Sequence, residues 1–159
     1  MKSRYNVMLV DDDYITNMIN SCIFENLEEV NQVSCFTSPV TALHYLQNRC
    51  VGNTPNRPLE PYPDLLLVDI KMCPIDGFDF ISELRKSAGG HFENICTAWL
   101  TTSENPKDRF KSIDLGVYNY LTKPLTNQKA QWLINQLKSG MLKDKTKTVD
   151  ESFLNNRAL

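Results

Sequence analysis

The sequence predicts an α/β protein with a doubly wound, five-stranded parallel sheet flanked by five helices. Its short apolar runs are continuously apolar, which is typical of strands buried on both faces, and lie at 7–10, 65–68, 95–100, 117–121 and, weakest, 33–36. Helical patterns separate the runs, and this alternation predicts right-handed βαβ units. The 159 residues, of which 42% are hydrophobic, suit one domain with a full-sized core.

The first helix follows the run at 7–10 and carries an apolar stripe. Its members recur with the period of one helix face and are Ile15, Met18, Ile19, Cys22 and Ile23. We expect this stripe to face the core.

Capping signals predict where three later helices begin. Ser38-Pro39 and Asn105-Pro106 each combine an N-cap residue with proline at the first helical position, and Asp76-Gly77 opens the helix between them. Gly116 can end the helix that starts after Asn105. The last helix has an apolar face made of Ala130, Leu133, Ile134 and Leu137.

Two segments lie outside this alternation. The stretch from Cys50 to Pro63 holds four prolines and is predicted to be an extended surface loop. Residues 141–159 are charged and weakly periodic, so we expect a domain over 1–140 followed by a C-terminal tail with no output domain.

Composition excludes several classes of function. A formal net charge of -2 and a pI of about 5.7 disfavour direct nucleic-acid binding. The five cysteines include no Cys-x-x-Cys pair, which disfavours a zinc site or a disulfide framework and favours a reducing cytoplasm. Neither a signal peptide nor a membrane-spanning run is predicted.

Polar residues follow four of the runs. Asp11-Asp12-Asp13 follows the run at 7–10, and Asp69 follows the run at 65–68. Thr101-Thr102 follows the run at 95–100, and Lys123-Pro124 lies just past the run at 117–121. In a parallel sheet these positions meet at one edge, where functional groups of such folds gather. Clustered carboxylates repel one another by a few kcal/mol per pair at roughly 4 Å, so they need a cation, and hard oxygen ligands favour Mg²⁺.

Each of these pieces has an ordinary structural explanation when it stands alone. An acidic run after a strand usually caps a helix, and we expect Asp13 to do so. Capping places no demand on Lys123 or Thr101, however. The conjunction at successive strand ends therefore indicates a functional site.

Over residues 5 to 140 the chain resembles a bacterial response-regulator receiver domain of the single-domain, chemotaxis-regulator-like kind. The matching segments are Leu9 to Asp13, Leu67 to Met72 with Asp76-Gly77-Phe78, Leu100-Thr101, and Tyr120 to Pro124. The resemblance implies a flavodoxin-like sheet with strand order 2-1-3-4-5.

The resemblance also implies a role for each matching residue. Asp69 would accept the phosphoryl group, and Mg²⁺ would be bound by Asp12, Asp69 and the main-chain carbonyl of Lys71, with Asp11 acting largely through water. Lys123 and Thr101 would each bind a phosphoryl oxygen. Movement of Thr101 would let the switch residue Tyr120 swing inward.

Three departures from the family pattern are visible. Cys73 stands where the family usually has proline, with Pro74 following; Thr102 is bulkier than the usual small residue; and Tyr118 is a second aromatic residue near Tyr120. We expect Lys71 and Thr102 to slow dephosphorylation by flanking the path of water. We also expect a cis Lys123-Pro124 bond.

The partners implied are a sensor histidine kinase or a histidine phosphotransfer protein and an unknown downstream protein. The read-out is expected on the face formed by the fourth helix, fifth strand and fifth helix, around 105–138, which could also form a homodimer. The chain would be a signalling protein and not an enzyme. Two alternatives remain: a pseudo-receiver that only binds partners, and an aspartyl-phosphate hydrolase, which would need an acid where Lys71 stands.

Overall fold

The computed structural model describes residues 4–50, 62–140 and 149–150, which form six strands, five α-helices and one 3-10 helix. The strands are β1 (Tyr5–Val10), β2 (Val30–Phe36), β3 (Leu65–Val68), β4 (Cys96–Thr101), β5 (Asn119–Thr122) and β6 (Val149–Asp150). The helices are α1 (Tyr14–Glu25), α2 (Pro39–Cys50), α3 (Gly77–Ala88), α4 (Pro106–Asp114) and α5 (Asn127–Ser139), with the 3-10 helix at Gly89–Asn94.

All strands pair in parallel, in the order β2-β1-β3-β4-β5-β6. The order 2-1-3-4-5 of the first five strands is therefore confirmed. In register, Val10 lies beside Val68, Val68 beside Trp99, and Thr101 beside Thr122. The carboxyl ends of β1, β3, β4 and β5 thus meet at one edge.

The sheet is buried on both faces, as the continuous apolar runs predicted. One face packs against α2 and α3, with Leu46, Phe80 and Trp99 fully buried there. The other face packs against α1 and α5, where Phe24 and Leu133 are fully buried. The central strands are held between these two layers.

The predicted inward orientation of the α1 stripe is wrong for every member except Ile23, which is partly buried and packs against the core. Ile15, Met18 and Ile19 are 55%, 46% and 52% exposed, and Cys22 is also exposed. The buried side of α1 instead carries Asn17, Asn20 and Phe24. The Asn17 amide donates to the carbonyls of Asp11 and Phe36 at 2.9 and 3.0 Å, which directs a polar side chain inward and turns the apolar stripe outward.

The second difference concerns the tail, which the sequence placed outside the sheet. Residues 149–150 form β6, which pairs with β5 through Asn119 and Tyr120. A short segment of the tail thus lies along the edge of β5.

The predicted caps are confirmed. The Asp76 side chain accepts from the backbone N–H of Asp79, and the Asn105 side chain accepts from that of Lys107. Ser38 caps α2 in the same way, and Gly116 follows α4 with φ 73°. Local sequence therefore determines where these helices start and stop.

The proline-rich loop predicted between Cys50 and Pro63 lies largely outside the described residues. None of the helices in the described part of the chain is long and apolar enough to cross a membrane.

Candidate functional site

Four strand ends bring the predicted site residues together. Asp11 follows β1, Asp69 follows β3, Thr101 ends β4, and Lys123 lies just after β5. Asp11, Asp69 and Thr101 are 5%, 6% and 0% exposed, whereas Asp12 is exposed. The site is a largely buried polar group with an open side at Asp12.

Lys123 connects two of the strand ends. Its Nζ lies 2.6 Å from Asp11 Oδ2 and 3.1 Å from Asp69 Oδ2. The backbone N–H of Lys123 also donates to the carbonyl of Thr101 at 2.9 Å. The ammonium is therefore fixed within the acid cluster.

These contacts shift the pKa values of both partners. Burial opposes the charge of Lys123, but its hydrogen bond to Asp11 and the charge of Asp69 outweigh burial and raise the pKa of the ammonium. Burial raises the pKa of Asp11, which the hydrogen bonds from Lys123 and Asp13 only partly offset. Lys123 thus stays charged. Burial disfavours the charged form of the Asp11 carboxylate, and a further cation nearby would stabilise that form.

Asp11, Asp12 and Asp69 form an acidic cluster that fits a metal ion. One carboxylate oxygen from each lies within 4.8 Å of the others. Asp69 Oδ1 is buried and has no hydrogen-bond partner. Carboxylate oxygens are the ligands that a hard divalent cation such as Mg²⁺ prefers, and a bound ion would supply the partner that the buried Asp69 oxygen lacks.

Backbone hydrogen bonds hold the acidic loop in place. The N–H of Asp13 donates to Asp11 Oδ1 at 2.9 Å, and that of Cys73 donates to Asp12 Oδ2 at 3.1 Å. Asp13 itself accepts from the N–H groups of Ile15 and Thr16 and caps α1, as predicted. Its pKa is lowered by these bonds.

Two loops at the site contain cis peptide bonds. The Lys123-Pro124 bond is cis, which confirms the prediction. The Cys73-Pro74 bond is also cis and was not anticipated. It occurs where the sequence departs from the family pattern.

Gly77 lies against the backbone of the predicted phosphoacceptor. A Cβ placed there would come within 2.3 Å of the Asp69 carbonyl oxygen and 2.8 Å of Trp99 Cζ3. The N–H of Gly77 donates to the carbonyl of Ile70 at 2.8 Å. Only glycine fits this contact between α3 and the end of β3.

The conformation of Tyr120 bears on its predicted role as a switch that swings inward when Thr101 moves. Its side chain is already buried, at 4% exposed, and its hydroxyl donates to the carbonyl of Ser103 at 2.8 Å. The guanidinium of Arg109 lies 4.7 Å from the ring centroid. The side chain of Tyr120 is therefore already in a buried position in this structure, and its role as a switch stays a prediction.

Lys71 and Thr102 are exposed in the loops after β3 and β4. Sequence reasoning missed Ser103, which is 5% exposed and lies between Thr101 and α4. A single serine in a loop shows no sequence pattern that would mark it as part of the site. The Ser103 hydroxyl donates to Asp108 in the first turn of α4.

The fold and the site together define a receiver-type α/β domain. Residues 7–135 match the family model described as the response regulator receiver domain. The chain therefore belongs to the response regulator receiver family of two-component signalling.

Solved structures support the same conclusion. A two component response regulator from Cytophaga hutchinsonii is 27% identical with a TM-score of 0.71, and the match covers 86% of this chain and 98% of that one. The chemotaxis response regulator CheY4 of Vibrio cholerae shares the fold at 18% identity, with a TM-score of 0.67 and coverage of 84% and 98%.

Curated relatives match through part of their length. The sensor histidine kinase CheAY of Helicobacter pylori is 36% identical over 66 residues, which are 42% of this chain and 8% of that protein. The phosphate regulon regulator PhoB of Escherichia coli is 23% identical over 129 residues, 81% of this chain and 54% of that protein. The chain thus spans about half or less of these two relatives.

Proposed function

We propose that this protein accepts a phosphoryl group on Asp69 from a phosphohistidine of a sensor kinase or phosphotransfer protein and signals through a phosphorylation-dependent protein contact or a phosphorelay. The observation that carries the proposal is the position of Asp69. It is buried beside Asp11 and Asp12 and lies 3.1 Å from the ammonium of Lys123.

The reaction needs a nucleophile, charge neutralisation and correct positioning. A carboxylate oxygen of Asp69 would attack phosphorus while the bond from phosphorus to the donor imidazole nitrogen breaks, which leaves an acyl phosphate on Asp69 and a free histidine on the donor. Such transfers depend mainly on positioning and electrostatic stabilisation. Lys123 can bind a phosphoryl oxygen, and the hydroxyl of Thr101 is the second donor at the strand ends.

Asp12, Asp69 and the main-chain carbonyl of Lys71 would hold Mg²⁺, with Asp11 contributing largely through water. The ion would neutralise charge on the phosphoryl oxygens. The unpaired, buried Asp69 Oδ1 supports this assignment.

The donor would contact the exposed apolar face of α1. This face begins at Tyr14, two residues after Asp12, and continues through Ile15, Met18 and Ile19. The segment 11–29 has acidic residues at both ends and no lysine or arginine. A donor with an apolar helical surface and basic residues beside it would be complementary to this face.

We expect slow loss of the phosphoryl group, with a lifetime of many minutes or longer. Lys71 and Thr102 are exposed beside the pocket, where they can hinder the in-line approach of water. Thr102→Ala should shorten the lifetime of the phosphorylated form. The lifetime is measured from the intact-protein mass at intervals after the phosphoryl donor is removed. A wild-type half-life of seconds in Mg²⁺ would show that neither residue obstructs water.

The downstream partner would bind the face formed by α4, β5 and α5. Phe110 and Ile113 on α4 are 69% and 41% exposed there. A homodimer could use the same face, although pairing through the edge of β5 would have to displace β6.

Labelling with a small donor separates this proposal from the two alternatives. Acetyl phosphate with Mg²⁺ should add one phosphoryl group per chain, and Asp69→Asn should abolish the label. A pseudo-receiver would take no label. An aspartyl-phosphate hydrolase would release phosphate rapidly, and the exposed Lys71 in place of a second acid argues against it.

A further inference from the structure

Ser103, in the loop between β4 and α4, forms hydrogen bonds with residues of β4, β5 and α4. Its backbone N–H donates to Thr101 Oγ1 at 3.2 Å, and its carbonyl accepts from the Tyr120 hydroxyl at 2.8 Å. Its own hydroxyl donates to Asp108 Oδ2 at 2.5 Å and accepts from the N–H of Asn105 at 3.4 Å. One residue thus contacts the phosphate-binding threonine, the buried tyrosine and the first turn of α4.

Burial forces these groups to move together. Thr101 is fully buried and Ser103 is 5% exposed, so water cannot replace a lost partner of either residue. A buried N–H left without an acceptor is costly. If the Thr101 hydroxyl turns toward a phosphoryl group on Asp69, the N–H of Ser103 must follow it or lose its bond.

Movement of Ser103 would reach α4 by two routes. In the first route, the Ser103 hydroxyl is hydrogen-bonded directly to Asp108 of α4. In the second, the Ser103 carbonyl holds the hydroxyl of Tyr120, whose ring lies 4.7 Å from the guanidinium of Arg109, the next residue of α4. Burial raises the pKa of Tyr120, so the phenol remains a hydrogen-bond donor. Two consecutive residues of α4 therefore respond to one loop residue.

We propose that Ser103 is the positioning residue that couples the phosphorylation pocket to helix α4, through its bonds to Thr101, Asp108 and Tyr120. This inference rests on the proposed function. It differs from direct contact between Thr101 and Tyr120 because the backbone of Ser103 joins these two residues, and the side chain of Ser103 adds a bond to Asp108 in α4. That side chain touches neither Asp69 nor the predicted metal ligands in any hydrogen bond of the described residues.

The chain contains a natural reporter of α4. The indole Nε1 of the fully buried Trp99 donates to the hydroxyl of Ser112 in α4 at 2.7 Å. The second of the two tryptophans is Trp132 in α5. In a Trp132→Phe background, the emission of Trp99 therefore follows the position of α4.

The test compares binding at the pocket with movement of α4. Beryllofluoride with Mg²⁺ mimics the acyl phosphate; ¹⁹F NMR of bound fluoride measures occupancy, and Trp99 emission measures the response. We expect full occupancy in Ser103→Ala and in Asp108→Ala, with a smaller emission change than in the background protein, because the bond from Ser103 to Asp108 is removed while the backbone bonds to Thr101 and Tyr120 remain. Asp108→Asn keeps an oxygen acceptor for Ser103 and should retain the change. Glu104→Ala, at an exposed position in the same loop, is the matched control and should respond like the background protein.

Three outcomes would overturn the coupling. If Ser103→Ala and Asp108→Ala bind beryllofluoride and show the unaltered emission change, Ser103 does not transmit the signal. If the background protein binds beryllofluoride but Trp99 does not respond, α4 does not move. If fluoride fails to bind the background protein at all, the proposed function fails, and the coupling with it. Asp108→Ala keeps the test decisive if Ser103→Ala does not fold.

Discussion

Gly77 shows how a single residue supports the phosphoacceptor without taking part in chemistry. The atoms nearest to a Cβ at this position are the Asp69 carbonyl oxygen, Trp99 Cζ3 and the Cα of Ile70, all under 3.0 Å away. Two of these are backbone atoms that cannot turn aside. The end of β3 and the start of α3 therefore approach each other only if this residue is glycine.

Gly77→Ala should lower the free energy of unfolding by about 1–3 kcal/mol or more, because overpacking a filled site forces the backbone to shift. It should also reduce labelling of Asp69 by acetyl phosphate. Urea unfolding and intact-protein mass measure the two effects. Gly90→Ala is the matched control, since a Cβ at Gly90 meets nothing within 4 Å. Equal stability of the two variants would contradict the packing argument.

Several site residues could be predicted from the sequence because they depend only on the ends of strands. Once the runs are recognised as parallel strands, Asp11, Asp69, Thr101 and Lys123 must converge. Ser103 could not be found this way, since its bonds depend on the conformation of a loop.

At the scale of elements, α1 shows what periodicity can and cannot establish. The spacing of its apolar residues correctly predicted a helix with one apolar face. It could not predict the direction of that face, because the direction follows from bonds between Asn17 and the ends of β1 and β2. The Asn17 amide is satisfied by two carbonyls, and Phe24 is buried on the same side of α1, so this side of the helix faces the sheet.

Polar substitutions on the outer face of α1 should therefore leave the fold intact. Ile15→Ser and Ile19→Ser should change the free energy of unfolding by no more than about 0.5 kcal/mol, as is usual for surface positions. Phe24→Ala, on the buried side, should cost about 3–5 kcal/mol. Urea unfolding gives both values, and a large loss for Ile15→Ser would mean that the stripe is buried.

The same two variants test the role of α1 in binding the donor. Phosphotransfer from a phosphorylated histidine phosphotransfer protein should slow, while labelling by acetyl phosphate should not change. Phe110→Ser, at an apolar position of similar exposure on α4, is the matched control. Equal slowing with both donors would place the defect in the pocket and contradict docking on α1.

At the scale of the whole molecule, the sheet order was predicted from the family resemblance and the alternation of elements, whereas β6 was not predicted. Val149–Asp150 is too short for a periodic signal, and its neighbours in the tail are charged. Its pairing along β5 covers the edge of the strand that carries Tyr120.

Removal of residues 141–159 should uncover this edge. Backbone amides of β5 that face β6 should exchange with deuterium faster in the truncated chain, because unpaired edge groups are open to water. Amides of β1, inside the sheet, serve as the control and should exchange at the same rate in both forms. Unchanged exchange along β5 would show that β6 does not protect it.

The chemical identity of the phosphorylated residue tests the account most directly. Sodium borohydride reduces an aspartyl phosphate to homoserine, and peptide mass spectrometry locates the change. After acetyl phosphate with Mg²⁺, we predict homoserine at position 69 alone, none after Asp69→Asn, and little in EDTA. Homoserine at another aspartate with position 69 intact, or undiminished conversion of position 69 in EDTA, would contradict a metal-assisted phosphoacceptor at Asp69.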